Sequence, residues 1–96
     1  MSTTVVHVND PDGFDVYIGR ANARRRLAAS PFANPFREGR DGSRDEVIEK
    51  YRQWILTQPD LLARLSELEG QRLGCWCAPA PCHGHVLVDL IESRTS

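Results

Sequence analysis

The stretch Gln71-Arg72-Leu73-Gly74-Cys75-Trp76-Cys77-Ala78-Pro79-Ala80-Pro81-Cys82-His83-Gly84-His85-Val86-Leu87-Val88-Asp89-Leu90-Ile91-Glu92-Ser93 reads as a strand that passes through two prolines into a helix. Leu73, Cys75 and Trp76 leave residues 71–77 little polar face, the pattern of a strand covered on both sides. Pro79 and Pro81 cannot continue its ladder. From Cys82 to Ser93 the apolar residues Val86, Leu87, Leu90 and Ile91 recur at helical spacing and mark the buried side of a terminal helix.

Upstream, Ser43-Arg44-Asp45-Glu46 has the form of a capping box, in which the Ser and Glu side chains each satisfy an orphan backbone N–H. Val47, Ile48, Tyr51, Trp54 and Ile55 then form one apolar stripe, predicting a helix from Ser43 to Thr57. A short helix follows, with Pro59 in its first turn, Leu61, Leu62, Leu65 and Leu68 inward and Gly70 as its stop. At the start of the chain Thr4–Val8 and Phe14–Gly19 read as strands. The turn Asn9-Asp10-Pro11-Asp12-Gly13 between them allows a hairpin. Residues 20–42 have no clean period, and their Ser-Pro-Phe and Asn-Pro-Phe phrases predict an ordered loop.

The order strand, strand, helices, strand, helix predicts a small single α/β domain over residues 1–96. Its sheet is expected to be mixed, three- or four-stranded, and packed with about three helices. In such sheets ligands bind beyond the carboxyl ends of the strands. Two unusual segments fall there, the Arg20–Phe36 loop and the Cys77–His85 phrase, so one composite site is expected.

Ninety-six residues leave no room for two cores, and 41% hydrophobic with 26% charged residues is ordinary for a globular chain. A net charge of -1 excludes binding nucleic acid by bulk positive charge, but not by a local patch. No apolar run reaches the roughly 18 residues of a membrane span, and the first residues lack the look of a signal peptide. The expectation is a cytoplasmic protein without a membrane partner. Three cysteines within eight positions make a poor disulfide framework, so reduced thiols are expected.

Cys75, Cys77, Cys82 and His83 are candidate zinc ligands. Their C-x-C…C-H spacing is not the C-x2-C pair of a zinc knuckle, and the primary expectation is no metal and no cofactor. Cys75 alone is read as a small buried hydrophobe. Cys82 and His83 stand where free N–H groups at the start of the last helix stabilise anions. His83 is therefore a candidate catalytic residue, and Cys82, Gly84 and the neighbouring Trp76 are candidate substrate contacts. The alternative is that Cys82 merely caps the helix and that His83 and His85 are solvated.

From Val16 to Arg37 there are five arginines and no acid. Arg20 is placed to grip a phosphate seated at the Gly19 turn, which makes Gly19 a candidate substrate contact as well; Arg24, Arg25 and Arg26 form a peripheral phosphate-contacting or simply exposed face. Asn34 offers a donor and an acceptor to a base edge, and Phe36 offers a stacking platform or a plug for the core. No pattern singles out one carboxylate as a general base; Asp15 is the nominee.

Tyr17-Ile18-Gly19-Arg20, Asn34-Pro35-Phe36 and Gly74-Cys75-Trp76-Cys77-x-Pro-x-x-Cys82-His83-Gly84, with the helical Tyr51 and Trp54 between, resemble a bacterial and phage family catalogued as a domain of unknown function. Where that family shows Trp-Gly before Asn-Pro-Phe, this chain has Phe32-Ala33 after extra Arg-rich sequence. The resemblance implies a DNA-related protein, and specifically a DNA glycosylase that excises 5-hydroxymethyluracil. Asn34 would then read the base, Phe36 stack on it, Arg20 hold a phosphate, His83 stabilise the departing base and Asp15 orient water. Two other readings stay open: a zinc-binding module that docks on DNA or protein, and a thiol-dependent nucleotide-binding protein built on Cys82.

Overall fold

The computed structural model describes residues 3–77 and 82–95. Its centre is β3 (Arg72–Cys75), whose Leu73, Gly74 and Cys75 are all buried. It is flanked by β1 (Thr4–His7) on one side and β2 (Val16–Tyr17) on the other, giving the order β1-β3-β2. Both neighbours run parallel to β3, with Val5 and Val16 each opposite Leu73.

The domain is a small α/β fold, but the sheet is entirely parallel among the described residues, not mixed, and the first two strands form no hairpin. The Asn9–Gly13 turn does form, through Asp10 N–H to the His7 carbonyl and Gly13 N–H to the Asp10 carbonyl. It opens a crossover that carries the chain back to the start of the sheet. Arg72 anchors this return: its guanidinium donates to the Gly13 carbonyl at 3.0 Å and to the Asp10 carboxylate at 3.2 Å. The central slot is left to β3, the most apolar of the three segments, because a parallel strand pair is normally buried on both faces.

The crossover lies against β3 through Phe14. A Cβ on Gly74 would meet the Phe14 ring at 2.6 Å, so only glycine lets the ring pass so close. On the other face lies α3 (His83–Thr95). Here Gly84 makes the close approach, since a Cβ would meet Ile18 at 2.9 Å and Val5 at 3.1 Å. The expected break at Pro79 and Pro81 lies outside the described residues.

α1 (Arg44–Ile55) starts at the capping box that its sequence predicts, with Ser43 Oγ accepting from Glu46 N–H and Glu46 Oε1 accepting from Ser43 N–H. It buries Val47, Tyr51 and Ile55 and packs on α3. α2 (Pro59–Ala63) and a 3-10 turn at Leu65–Glu67 close the core with Leu65 and Leu68. Among the described residues no helix is long and apolar enough to cross a membrane.

Replacing Gly74 with Ala is expected to cost about 1–3 kcal/mol in urea unfolding, the usual range for overpacking a core. In a Phe14→Ala background the same replacement is expected to cost much less. Equal losses in both backgrounds would mean that Phe14 does not set the requirement for glycine.

Candidate functional site

β2 and β3 end side by side, and the segments that leave their carboxyl ends build a cleft of about 230 Å³. From the β2 side come Tyr17, Gly19, Arg20 and, further along the loop, Asn34, Phe36 and Glu38. From the β3 side come Cys75, Trp76 and Cys77, and from the start of the last helix Cys82 and His83. Arg44, Val47 and Ile48 of α1 close the remaining wall. The arginine-bearing bend and the imidazole-bearing helix start, distant in sequence, thus share one cavity.

The bend is held by its own polar groups. One Nη2 of Arg20 donates to the Asn34 carbonyl at 2.6 Å and the Phe36 carbonyl at 2.8 Å, folding the loop around the guanidinium. Asn34 accepts from Phe36 N–H at 2.9 Å and donates to the Val47 carbonyl at 3.3 Å. Its amide therefore keeps one N–H and one lone pair for a ligand. Partial burial and the nearby Arg37 and Arg40 lower the Arg20 pKa, yet an arginine remains cationic at any physiological pH. Farther out, Asn22 and Leu27 exchange backbone hydrogen bonds at 2.9 and 3.0 Å and close a turn in which Arg26 takes a left-handed φ of 55°. That turn carries Arg24, Arg25 and Arg26 on the surface beside Ala21 and Asn22 of the cleft wall.

Trp76 stands at the rim, 38% exposed and held in place by its neighbours. Its indole N–H donates to the Tyr17 hydroxyl at 2.8 Å, that hydroxyl donates to the Arg20 carbonyl, His7 meets the ring edge-on and Arg25 lies over its face. The Tyr17 ring lies over Gly19, where a Cβ would sit 2.5 Å from the hydroxyl. Gly19 is thus required by Tyr17 and not only by a ligand.

His83 Nε2 lies 2.7 Å from the Ile18 carbonyl. A carbonyl only accepts, so Nε2 carries the proton and Nδ1 is the acceptor of a neutral ring. Burial, followed by the nearby Arg20 and His85, pushes the imidazole pKa below its ordinary value, against the upward pull of the Ile18 hydrogen bond. His83 is therefore a neutral group in the cleft and not a resident cation. It packs edge-on against Tyr51, whose hydroxyl donates to the Phe32 carbonyl at 2.6 Å. Phe32 is part of the core.

Two nominated residues lie elsewhere. Asp15 sits at the opposite end of the strands, where its carboxylate accepts from Arg72 N–H at 2.8 Å and its own N–H donates to the Arg72 carbonyl at 2.8 Å. Gly84 is packed under Ile18 and Val5, and its N–H donates to Cys82 Sγ at 3.3 Å. The acid that does line the cleft is Glu38, 3.7 Å from Arg44 Nε. Nothing in the local pattern of Arg37-Glu38-Gly39 marks it, because only the placement of the loop against α1 brings this exposed side chain to the edge of the cleft. His85 caps the last helix, accepting from Cys82 N–H at 3.2 Å. Cys75 and Cys82 are buried with their sulfurs 3.2 Å apart, whereas Cys77 is exposed. Among the described residues no group of three or more His, Cys, Asp and Glu is arranged to hold a metal ion.

Fold and cavity define a small parallel α/β domain with a binding cleft at the carboxyl ends of its strands, the place where open α/β sheets take ligands. The chain belongs to the family described as Domain of unknown function (DUF4326), whose model matches residues 6–93. It is 37% identical over 88 residues to an uncharacterized protein of Acanthamoeba polyphaga mimivirus, covering 81% of this chain and 67% of that one. It is 36% identical over 59 residues to an uncharacterized 12.4 kDa protein from the nrdA-td intergenic region of Enterobacteria phage T4. That match covers 56% of this chain and 55% of the phage protein, so the chain spans about half the length of that relative. No solved structure matches it.

The neutral state of His83 has a measurable consequence. In the unfolded chain an imidazole takes up its proton near pH 6.5, whereas in the folded protein uptake is displaced to lower pH. The unfolded chain therefore binds the proton first, and stability falls as pH drops below about 6.5 until the folded imidazole titrates. Urea unfolding between pH 7 and pH 5 is expected to show this loss, no steeper than about 1.4 kcal/mol per pH unit for one proton. A His83→Gln variant is expected to flatten it. An unchanged profile in that variant would place the titrating group elsewhere.

Proposed function

We propose that this protein is a DNA glycosylase that hydrolyses the N-glycosidic bond of a modified pyrimidine of the 5-hydroxymethyluracil type. The observation that carries this reading is the meeting of Arg20, Asn34, Phe36, Trp76, His83 and Glu38 in one cleft. Its volume, about 230 Å³, lies below the roughly 300–1,000 Å³ of pockets for drug-sized ligands. That suits a single extruded ring better than a whole nucleotide, and a base must leave the stack before an enzyme can reach its glycosidic bond.

The chemistry breaks the bond from the sugar C1′ to the base nitrogen, with the electron pair leaving on the base. A water oxygen bonds to C1′ and gives up a proton. In this reading Glu38 replaces Asp15 as the carboxylate that orients the water and receives that proton. Arg20 supplies the fixed positive charge toward which the base departs, a role a neutral His83 cannot fill. The acceptor Nδ1 of His83 suits a ligand hydroxyl such as that of a hydroxymethyl substituent, and the remaining N–H and lone pair of Asn34 suit a pyrimidine edge. Phe36 and Trp76 offer faces on which bases stack.

The charge distribution supports DNA as the partner. Seven of the chain's 12 Lys and Arg residues are arginines between positions 20 and 44, around the cleft, although the whole chain is at -1. A local patch of this kind grips a few phosphates near the reacting nucleotide.

Duplex oligonucleotides carrying 5-hydroxymethyluracil, incubated with the protein and then with alkali, are expected to break at the modified position. Glu38→Gln and Arg20→Gln are each expected to slow base release at least about 100-fold, the lower bound of a general acid-base or electrostatic contribution. Intact strands after exhaustive incubation across a panel of modified pyrimidines would overturn the activity. Cleavage that both variants leave unchanged would overturn the assignment of roles.

A further inference from the structure

Cys75 ends β3 and Cys82 precedes α3, and their sulfurs lie 3.2 Å apart in the core. They are 2% and 3% exposed and both contribute to the wall of the cleft, so a small molecule in the cleft stands against them and reaches the sulfurs through local opening of that wall. Cys82 Sγ also accepts the Gly84 N–H at 3.3 Å, at the first turn of α3, where a backbone donor favours negative charge on the sulfur. The hydrogen bond with Cys75 and burial outweigh that donor and hold the Cys82 pKa above its ordinary value, so exchange at this pair is slow near neutral pH and accelerates as pH rises. A covalent S–S bond is about 2.05 Å, so closing one requires the sulfurs to approach by about 1 Å.

We propose that Cys75 and Cys82 form a dithiol modification site, oxidised to an intramolecular disulfide by a small uncharged organic disulfide entering through the cleft. The thiolate of Cys82 attacks one sulfur of the organic disulfide. The S–S bond breaks, one equivalent of organic thiolate leaves, and a mixed disulfide forms on Cys82. Cys75, having lost its proton to solvent, attacks the Cys82 sulfur and expels the second thiolate. The leaving thiolates take up the protons released by the two cysteines. The protein loses two hydrogens and two electrons, and the organic disulfide is reduced to two thiols.

Cys77 is exposed on the same wall, whereas the 3.2 Å sulfur contact joins the buried Cys75 and Cys82. The modification joins the end of β3 to the start of α3. It therefore sets the spacing between the Trp76–Cys77 wall and His83, the two sides that a ligand has to bridge. Neither the sulfur geometry nor the exchange step depends on the glycosylase reading.

The test uses the full-length Cys77→Ser variant, which retains only the pair, incubated in mildly alkaline buffer with 2-hydroxyethyl disulfide and analysed as the intact protein and as its tryptic peptide Leu73–Arg94. The expected product has lost two hydrogens, carries no adduct and takes up no iodoacetamide. Dithiothreitol is expected to restore two alkylatable thiols, and the rate is expected not to change with protein concentration. In wild type the same linkage is expected, with Cys77 still alkylatable or carrying the adduct alone. Thiols that stay fully alkylatable, a stable mixed disulfide on either member of the pair, a disulfide-linked dimer or a bond to Cys77 in wild type would each overturn the proposal.

Discussion

The hydrogen bond from His83 Nε2 to the Ile18 carbonyl, 2.7 Å long, is the constraint on which the site depends. It ties the first residue of α3 to the chain just beyond β2, and so fixes how far the helix start stands from the strand ends. The same bond decides the chemistry of the ring, since donating to a carbonyl commits the proton to Nε2 and leaves only an acceptor. Its register is in turn set by the close helix-to-sheet packing at Gly84, where the Ile18 and Val5 side chains leave no room for a Cβ. A glycine whose sequence context suggests backbone offered to a ligand thus works by bringing an imidazole to a cleft.

Positive charge and acid are arranged around that imidazole by a loop with almost no regular structure. Arg20 supports the loop from within through the Asn34 and Phe36 carbonyls, and the loop is further fastened by the Tyr51 hydroxyl on the Phe32 carbonyl. The guanidinium is consequently both scaffold and field: removing it opens the loop and discharges the cleft together. Arg20→Lys keeps the charge but loses the guanidinium Nη2 that reaches both carbonyls, and so separates the two uses as Arg20→Ala does not.

The fold class was legible because it rests on periodicity. The apolar run of β3, the capping box at Ser43 and the stripe through Val47, Tyr51 and Ile55 each state a local preference that the tertiary structure keeps. The strand direction was not, since Asn9-Asp10-Pro11-Asp12-Gly13 specifies a turn but not whether the next strand returns beside β1 or beyond a strand that comes far later in the chain. That error propagates to the site. Asp15 stands only two residues before Tyr17, but it lies before the sheet, against Arg72, while the cleft lies after it. Glu38 was invisible for the complementary reason: its position depends on how the loop packs on α1, which no local spacing encodes. The pairing of Cys75 with Cys82 likewise emerges only when the end of β3 and the start of α3 are brought together.

The central claim is that one ligand touches both chain-distant walls of the cleft at once. Titration of the isotopically labelled protein with free 5-hydroxymethyluracil, followed by amide and imidazole chemical shifts, tests it most directly. The account predicts saturable shifts at Arg20, Asn34 and Phe36 together with Trp76 and His83, all following one binding curve. Shifts confined to one of the two walls, or a saturable response located away from the cleft, would contradict it.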